Sequence, residues 1–211
     1  MMNGKRHQKL KSILVSSKLH RYTSHFLKLS VLILLATMVL SQEKYKEPRY
    51  TVIQTHGNIE IRDYGEYVVA KTTVPIKYKE SESNMFRVLA SYIFGENQTN
   101  EKIPMTAPVT TFSYNDSHSM LFYMLNSDSI NDLPKPSGQD ITFEKFDLGR
   151  CAVISFSWFV NEKRIVKYQN KLKKFLDTNK YLHEEQILVN RYDSPWKLPF
   201  MRRNEILIQL K

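Results

Sequence analysis

The sequence predicts an α+β domain: a β-α-β-β unit present twice, its mainly antiparallel sheet able to curl toward a barrel, with one helix for each unit. Three observations predict it. Short runs of period two, rich in Val, Ile, Thr and aromatic residues, alternate with two longer runs at helical spacing. That order occurs once before and once after a polar connector at 126–140, NSDSINDLPKPSGQD, with two prolines and one glycine. Placing Ile59-Glu60-Ile61 over Ile141-Thr142-Phe143 also puts Tyr64 over Phe146 and Ala70 over Ala152, a constant offset of 82 positions. Two such pseudo-repeats, about 47–125 and 141–210, leave a cleft at their junction, a usual place for a small-molecule site.

Residues 1–41 are a leader distinct from the domain at 42–211. They hold Lys5, Arg6, Lys9, Lys11, Lys18, Arg21 and Lys28 and no Asp or Glu, so seven of the 31 basic side chains sit here. The remaining 170 residues carry 24 basic and 21 acidic side chains, a net +3 out of the chain's +10. Nucleic-acid binding wants Lys and Arg gathered on a folded face, and this excess lies in a tail, so no nucleic-acid partner is expected. Leu29 to Leu40, LSVLILLATMVL, is uncharged. Twelve residues fall short of the ~20 that span a bilayer, but suit the apolar region of a secretory signal, with Val39 and Ser41 small enough for the −3 and −1 positions. The long basic leader leaves two readings open: a start assigned too far upstream, or an uncleaved anchor over residues 26–41. Either implies an exported or membrane-anchored protein, its positive end in the cytoplasm.

In the first half, Arg49 to Gln54 reads as a strand, His56-Gly57-Asn58 as a turn and Ile59 to Arg62 as a short strand. Asp63-Tyr64-Gly65 turns the chain into the Val- and Thr-rich run Tyr67 to Val74. Ser81 and Ser83 are candidate caps for a helix whose face carries Met85, Phe86, Val88, Leu89, Tyr92 and Ile93. Gly95 suits the left-handed close of that helix. Ile103, Met105, Ala107 and Val109 then alternate with Pro104, Thr106 and Pro108. A period of two running through prolines implies an edge strand or bulged entry with one apolar face, which suits a ligand or simply a kinked core strand. Strands through Phe112 and from Met120 to Leu125 complete the half.

The second half repeats the pattern. Strands at Ile141 to Phe146 and Arg150 to Phe156 precede a helix capped by Asn161, with Ile165, Tyr168, Leu172, Phe175 and Leu176 on its apolar face and Asn179 at its end. Ile187 to Tyr192 and Glu205 to Leu210 supply the last strands.

Several chemistries are excluded. There is no G-x-S-x-G elbow, and six glycines are too few for a glycine-rich cofactor loop. Cys151 is the only cysteine, so the chain forms no internal disulfide and no Cys-based metal site, and its apolar surroundings read as a small buried hydrophobe. His56, His118 and His183 fall in turns and read as solvated residues, while His7, His20 and His25 lie in the leader. No acid–base or nucleophile set is recognisable, so the chain is not read as an enzyme.

Three segments in one order carry a resemblance: IEIRDYGEYVVA at 59–70, YIFGENQTNEKIPMTAPV at 92–109 and YDSPWKLPFMRRNEILIQL at 192–210. E-I-R-x-Y, I-x-M-T-x-P-V and R-N-E at this spacing resemble the SOUL heme-binding protein family over about residues 47–210. The resemblance implies a duplicated α+β unit, a distorted antiparallel barrel with two helices. It also implies non-covalent binding of heme or another porphyrin, as a carrier or buffer with no reaction attached. A porphyrin needs an apolar slot and cations for its propionates. Phe86, Leu89, Ile93 and Met105 are candidates for the slot; Arg87, and Lys197 at a family position proposed to meet a propionate, are candidates for the charge. Some family members have an iron-ligating histidine where this chain has Asp63, a poor axial ligand for heme iron. Three outcomes stay open: iron unligated by protein, a substitute among Tyr64, Tyr67, Met105 and His56, or a natural ligand other than heme. Asp63 also reads as a turn residue, and Arg203-Asn204-Glu205 as a polar network fixing the last strand. The alternative function is a non-enzymatic module for another amphipathic small molecule or a protein partner. The metal ligand and the oligomeric state are left unassigned.

Overall fold

The computed structural model describes Ser30 and residues 45–76, 81–138 and 140–211, so the apolar run and the cleavage positions expected in the leader lie, Ser30 apart, outside the described residues. Among these residues the order is β1 (Tyr50–His56), β2 (Ile59–Tyr64), β3 (Glu66–Pro75), α1 (Ser81–Ile93), β4 (Val109–Tyr114), β5 (Ser117–Tyr123), β6 (Thr142–Asp147), β7 (Arg150–Phe156), α2 (Glu162–Thr178), β8 (Leu188–Arg191) and β9 (Asn204–Gln209). The strands form one nine-stranded sheet in the order β1-β2-β7-β9-β8-β4-β5-β3-β6, with every strand pair antiparallel. It curls without closing, since β1 and β6 are its two ends.

The duplication is written into the register. Ile61 pairs with Ala152 between β2 and β7, and Phe143 pairs with Ala70 between β6 and β3. The first half therefore lends β2, with β1 beyond it, to the second, the second lends β6 to the first, and between them β4 pairs with β8.

The pairing also fixes two faces. Phe122, Val109 and Arg191 lie side by side across β5, β4 and β8, and Met120, Thr111, Val189 and Ile206 form the next row. This face carries both helices. Met85, Leu89, Tyr92 and Ile93 of α1 pack on Val68, Ala70, Met120 and Phe122, and Leu172 and Leu176 of α2 pack on Ile59, Ile61, Ala152, Ile154, Ile206 and Ile208. On the opposite face Val69, Leu121 and Tyr123 meet Tyr64, Cys151, Val153 and Leu207, strands from both halves sharing one core because the sheet curls over it.

Both helices end alike. Gly95 takes a left-handed conformation (φ 113°), with Glu96 N–H donating to Ser91 O and Gly95 N–H to Tyr92 O. At the end of α2 the left-handed residue is Lys180 (φ 58°), with Tyr181 N–H on Leu176 O. Asn161 caps α2 as expected, accepting from Arg164 N–H, and Asn179 is its last cap. Helix α1 begins at Ser81, which puts Ser83 inside its first turn rather than at the cap.

Three local expectations are corrected. Residues 103–108 form no strand: Thr106 alone makes a parallel bridge, to Lys46, and β4 starts at Val109. Two prolines remove ladder donors, Thr106 Oγ1 donates instead to Tyr123 O at 2.7 Å, and the Ala107–Pro108 peptide is cis. The alternation fails with it, since Thr106 is buried while Met105 is partly exposed. Asp63 lies in β2 opposite Thr51 and Arg150, not in a turn. His56 ends β1 and His118 lies within β5.

Candidate functional site

Helix α1 is amphipathic, and the positions that reach furthest into the sheet are sealed. Leu89 and Ile93 are completely buried, and Met105 packs partly buried against the same cluster. Phe86 sits on the flank of that stripe and stays 42% exposed, its ring 5.5 Å from Phe122 at 61°. One turn earlier Glu82 accepts two hydrogen bonds from Arg191 at 3.0 and 3.1 Å and lies 3.5 Å from His118 Nε2. The hydrogen bond from His118 and the Arg191 charge hold the Glu82 carboxyl below its usual range against the opposing effect of burial. The other nitrogen of His118 meets Ser113, and Arg191 also donates to Thr111. An open aromatic ring on the helix face, next to the junction of the two halves, is thus flanked by a fixed cation.

The long connection from α1 to β4 is held by a residue that sequence reasoning did not single out. Asn97, 3% exposed, donates from Nδ2 to Tyr92 O and Glu101 O and accepts on Oδ1 from Thr99 and Glu101. Ile103 N–H then donates to Ile93 O and Ala107 N–H to Lys46 O. Asn in a polar run gave only a loop signal; the fivefold use of one amide depends on how the loop folds back around it.

The polar residues of E-I-R-x-Y and R-N-E meet on the other face of the sheet. Arg62 donates to both oxygens of Glu205 at 3.0 Å and to Tyr64 Oη, and pairs with Glu60 at 2.7 Å. Tyr192 Oη donates to Glu205 at 2.6 Å, and Ser155 Oγ is 3.3 Å from the same carboxylate. Burial drives the Tyr64 and Tyr192 hydroxyls up out of the normal tyrosine range, so both remain protonated. Arg203 lies 3.6 Å over the Tyr192 ring and pairs with Glu47. This is the polar network expected for Arg203-Asn204-Glu205, built on partners from β2, β7 and the chain ahead of β1.

The remaining sequence candidates are scattered. Lys197, in the loop between β8 and β9, is held by Asp193 at 2.5 Å. Arg87 bonds Asn84 and lines a cleft of about 400 Å³ between α1 and residues 136–138 and 140–141. A second cleft, about 410 Å³, is lined by Lys46, Arg49, Glu66, Tyr67, Met124 and Lys145, and of the sequence candidates it holds Tyr67, whose hydroxyl donates to Arg49 O. Asp63 is exposed on β2, on the half of the sheet that α2 covers, away from Phe86. Among the described residues no group of three His, Cys, Asp or Glu is placed to hold a metal ion.

Comparisons with known proteins bear on the whole domain. Mouse "Heme-binding protein 2" is 29% identical over 165 residues, covering 72% of this chain and 78% of that protein. The human protein of the same name is 30% identical over 162 residues with the same coverage. Among solved structures, the EcmrR C-terminal domain superposes with a TM-score of 0.56 at 12% identity, over 77% of this chain and 98% of that one, a likeness of fold alone. The model of the SOUL heme-binding protein family matches residues 45–209, and the chain belongs to that family.

Proposed function

We propose that the chain binds heme or a related porphyrin non-covalently and serves as a carrier or buffer of tetrapyrroles, without a reaction of its own. The observation that carries this reading is the half-open Phe86 ring, set edge-on to Phe122, whose cluster Val109 and Met105 also join, with Arg191 bonded to Glu82 one turn earlier on the same helix. Those residues fit two needs of a porphyrin, an apolar face for the ring and cations for the propionates. They do not fit its iron: Asp63 lies on β2, five strands along the sheet from β5, and His118 spends both nitrogens on Glu82 and Ser113. Bound heme would supply its iron as a redox centre, while the protein's own residues would hold the ring and its acid groups.

With Leu89 and Ile93 sealed in the core, the site is shallow. That favours, as the second reading, a module for other flat amphipathic molecules. For the leader we propose export or membrane anchoring, supported by the uncharged run Leu29 to Leu40 behind seven cations. Titrating hemin into the full chain and following the Soret band tests the ligand: a saturable shift supports it, and none, with the domain folded, removes it. Recovery of an intact, detergent-independent chain in the cytoplasm would remove the proposed location.

A further inference from the structure

Two loops at one end of the sheet expose a group of large apolar side chains that neither the core nor the porphyrin reading uses. Trp196 is 92% exposed, and Trp158, Phe159, Leu198, Phe200 and Met201 are all substantially exposed. The loops are tied together and internally ordered. Trp158 N–H donates to Pro199 O at 2.8 Å, Asn204 Nδ2 donates to Trp158 O at 2.9 Å, and the Arg202 guanidinium lies 4.7 Å over the Phe159 ring. Arg202 also donates to the carbonyls of Lys197 and Pro195, around a short 3₁₀ turn at Pro199–Met201. Trp158 has φ 78°, a left-handed conformation costly for an aromatic residue, and the bonds to Pro199 and Asn204 hold it there.

Cations border the patch. Helix α2 starts three residues after Phe159, and its exposed side carries Lys163, Lys167, Lys171 and Lys174 at spacings of four, four and three, so they form one stripe. Among the described residues no carboxylate pairs with any of these four or with Arg202, although Glu162 and Asp193, the latter held by Lys197, lie in the same region. Projecting Trp, Phe and Leu beside unpaired Lys and Arg are the composition that seats a protein in the headgroup layer of a membrane. A nucleic acid would use the cations but leave Leu198 and Met201 without a partner.

We propose that this end of the domain docks on an anionic phospholipid surface, with Trp158, Phe159, Trp196 and Phe200 entering the interface and Lys163, Lys167 and Arg202 meeting the headgroups. The contact is separate from anything the leader does and does not depend on porphyrin binding.

The chain has only two tryptophans, both in this patch, so its tryptophan emission, excited selectively over the twelve tyrosines, reports on the patch alone. The full chain, free of porphyrin, is mixed with vesicles of phosphatidylcholine with and without phosphatidylserine, and with single-stranded DNA. The expected result is a blue shift of the emission, and quenching by brominated lipid, with phosphatidylserine vesicles only. Trp196→Ser with Phe200→Ser should abolish the shift of the remaining tryptophan with an unchanged circular-dichroism spectrum, and Lys163→Glu with Lys167→Glu should weaken vesicle affinity about tenfold or more. Vesicles that carry the chain while its emission stays unchanged and unquenched would overturn the proposal, since the leader would then be the contact. A shift with DNA and none with vesicles would overturn it as well.

Discussion

Arg62 and Glu205, 143 positions apart, form a two-pronged ion pair at 3.0 Å inside the curl of the sheet, where both side chains are almost completely buried. It joins β2 of the first half to β9 of the second, and Tyr192 and Ser155 supply the remaining donors to the carboxylate. A buried pair of this kind is costly to break by one partner, because the other is left charged in the core. Arg62→Met or Glu205→Leu alone should lower unfolding free energy by about 3–5 kcal/mol in urea titrations, and the double substitution by clearly less. Equal and additive losses would show that the pair is not coupled.

How much of this was legible in sequence differs from element to element. The repeat was, because Ile61, Ala70, Phe143 and Ala152 occupy equivalent ladder positions and period-two burial keeps such positions apolar. So was the polar role of Arg203-Asn204-Glu205, though not its partners, since Glu205 takes Arg62 and Tyr192 and Arg203 takes Glu47. The segment at Ile103–Pro108 was not: its alternation is accidental, and Thr106 Oγ1 and Ala107 N–H donate to the carbonyls of Tyr123 and Lys46. Nor was the difference between Phe86 and Leu89. Both belong to one helical stripe, and only the position of β5 beneath it decides that one is open and the other sealed.

That difference makes a separable pair of substitutions. Leu89→Ala removes a side chain with no exposure and should cost about 2–5 kcal/mol of stability in denaturant melts. Phe86→Ala should cost about 1 kcal/mol or less, since half the ring already meets water, while weakening porphyrin binding. A large stability loss at Phe86 would make it a core residue and remove it from the site.

Glu82 sets an acid limit on the same region. Its folded carboxyl lies below the ordinary 4.5, chiefly through His118 and then Arg191, so the unfolded chain takes up the proton first. The stabilisation is therefore complete above about pH 4.5 and is lost as pH falls through the lower folded value. Thermal melts of Glu82→Gln should show a shallower loss below about pH 4.5 than the wild-type protein. Identical acid profiles would contradict the assigned role.

Cys151 is buried, donates to Leu148 O at 3.1 Å, and has a thiol pushed up to about 12 by burial. Thiol-labelling reagents at neutral pH should react with it only at the rate of unfolding, accelerating with urea. Rapid labelling of the native chain would show an opening that the packed interior does not provide.

The central claim is that a flat ring and its acid groups, rather than iron, are what the protein grips. Parallel fluorescence and Soret titrations of the same preparation with iron-free protoporphyrin and with hemin test it most directly. The expected result is dissociation constants within about threefold of each other, both weakened by Phe86→Ala, because the apolar area buried at roughly 25 cal/mol per Å² is the same for the two ligands. Hemin bound a hundredfold more tightly than protoporphyrin, with the preference lost in His118→Ala, would contradict it.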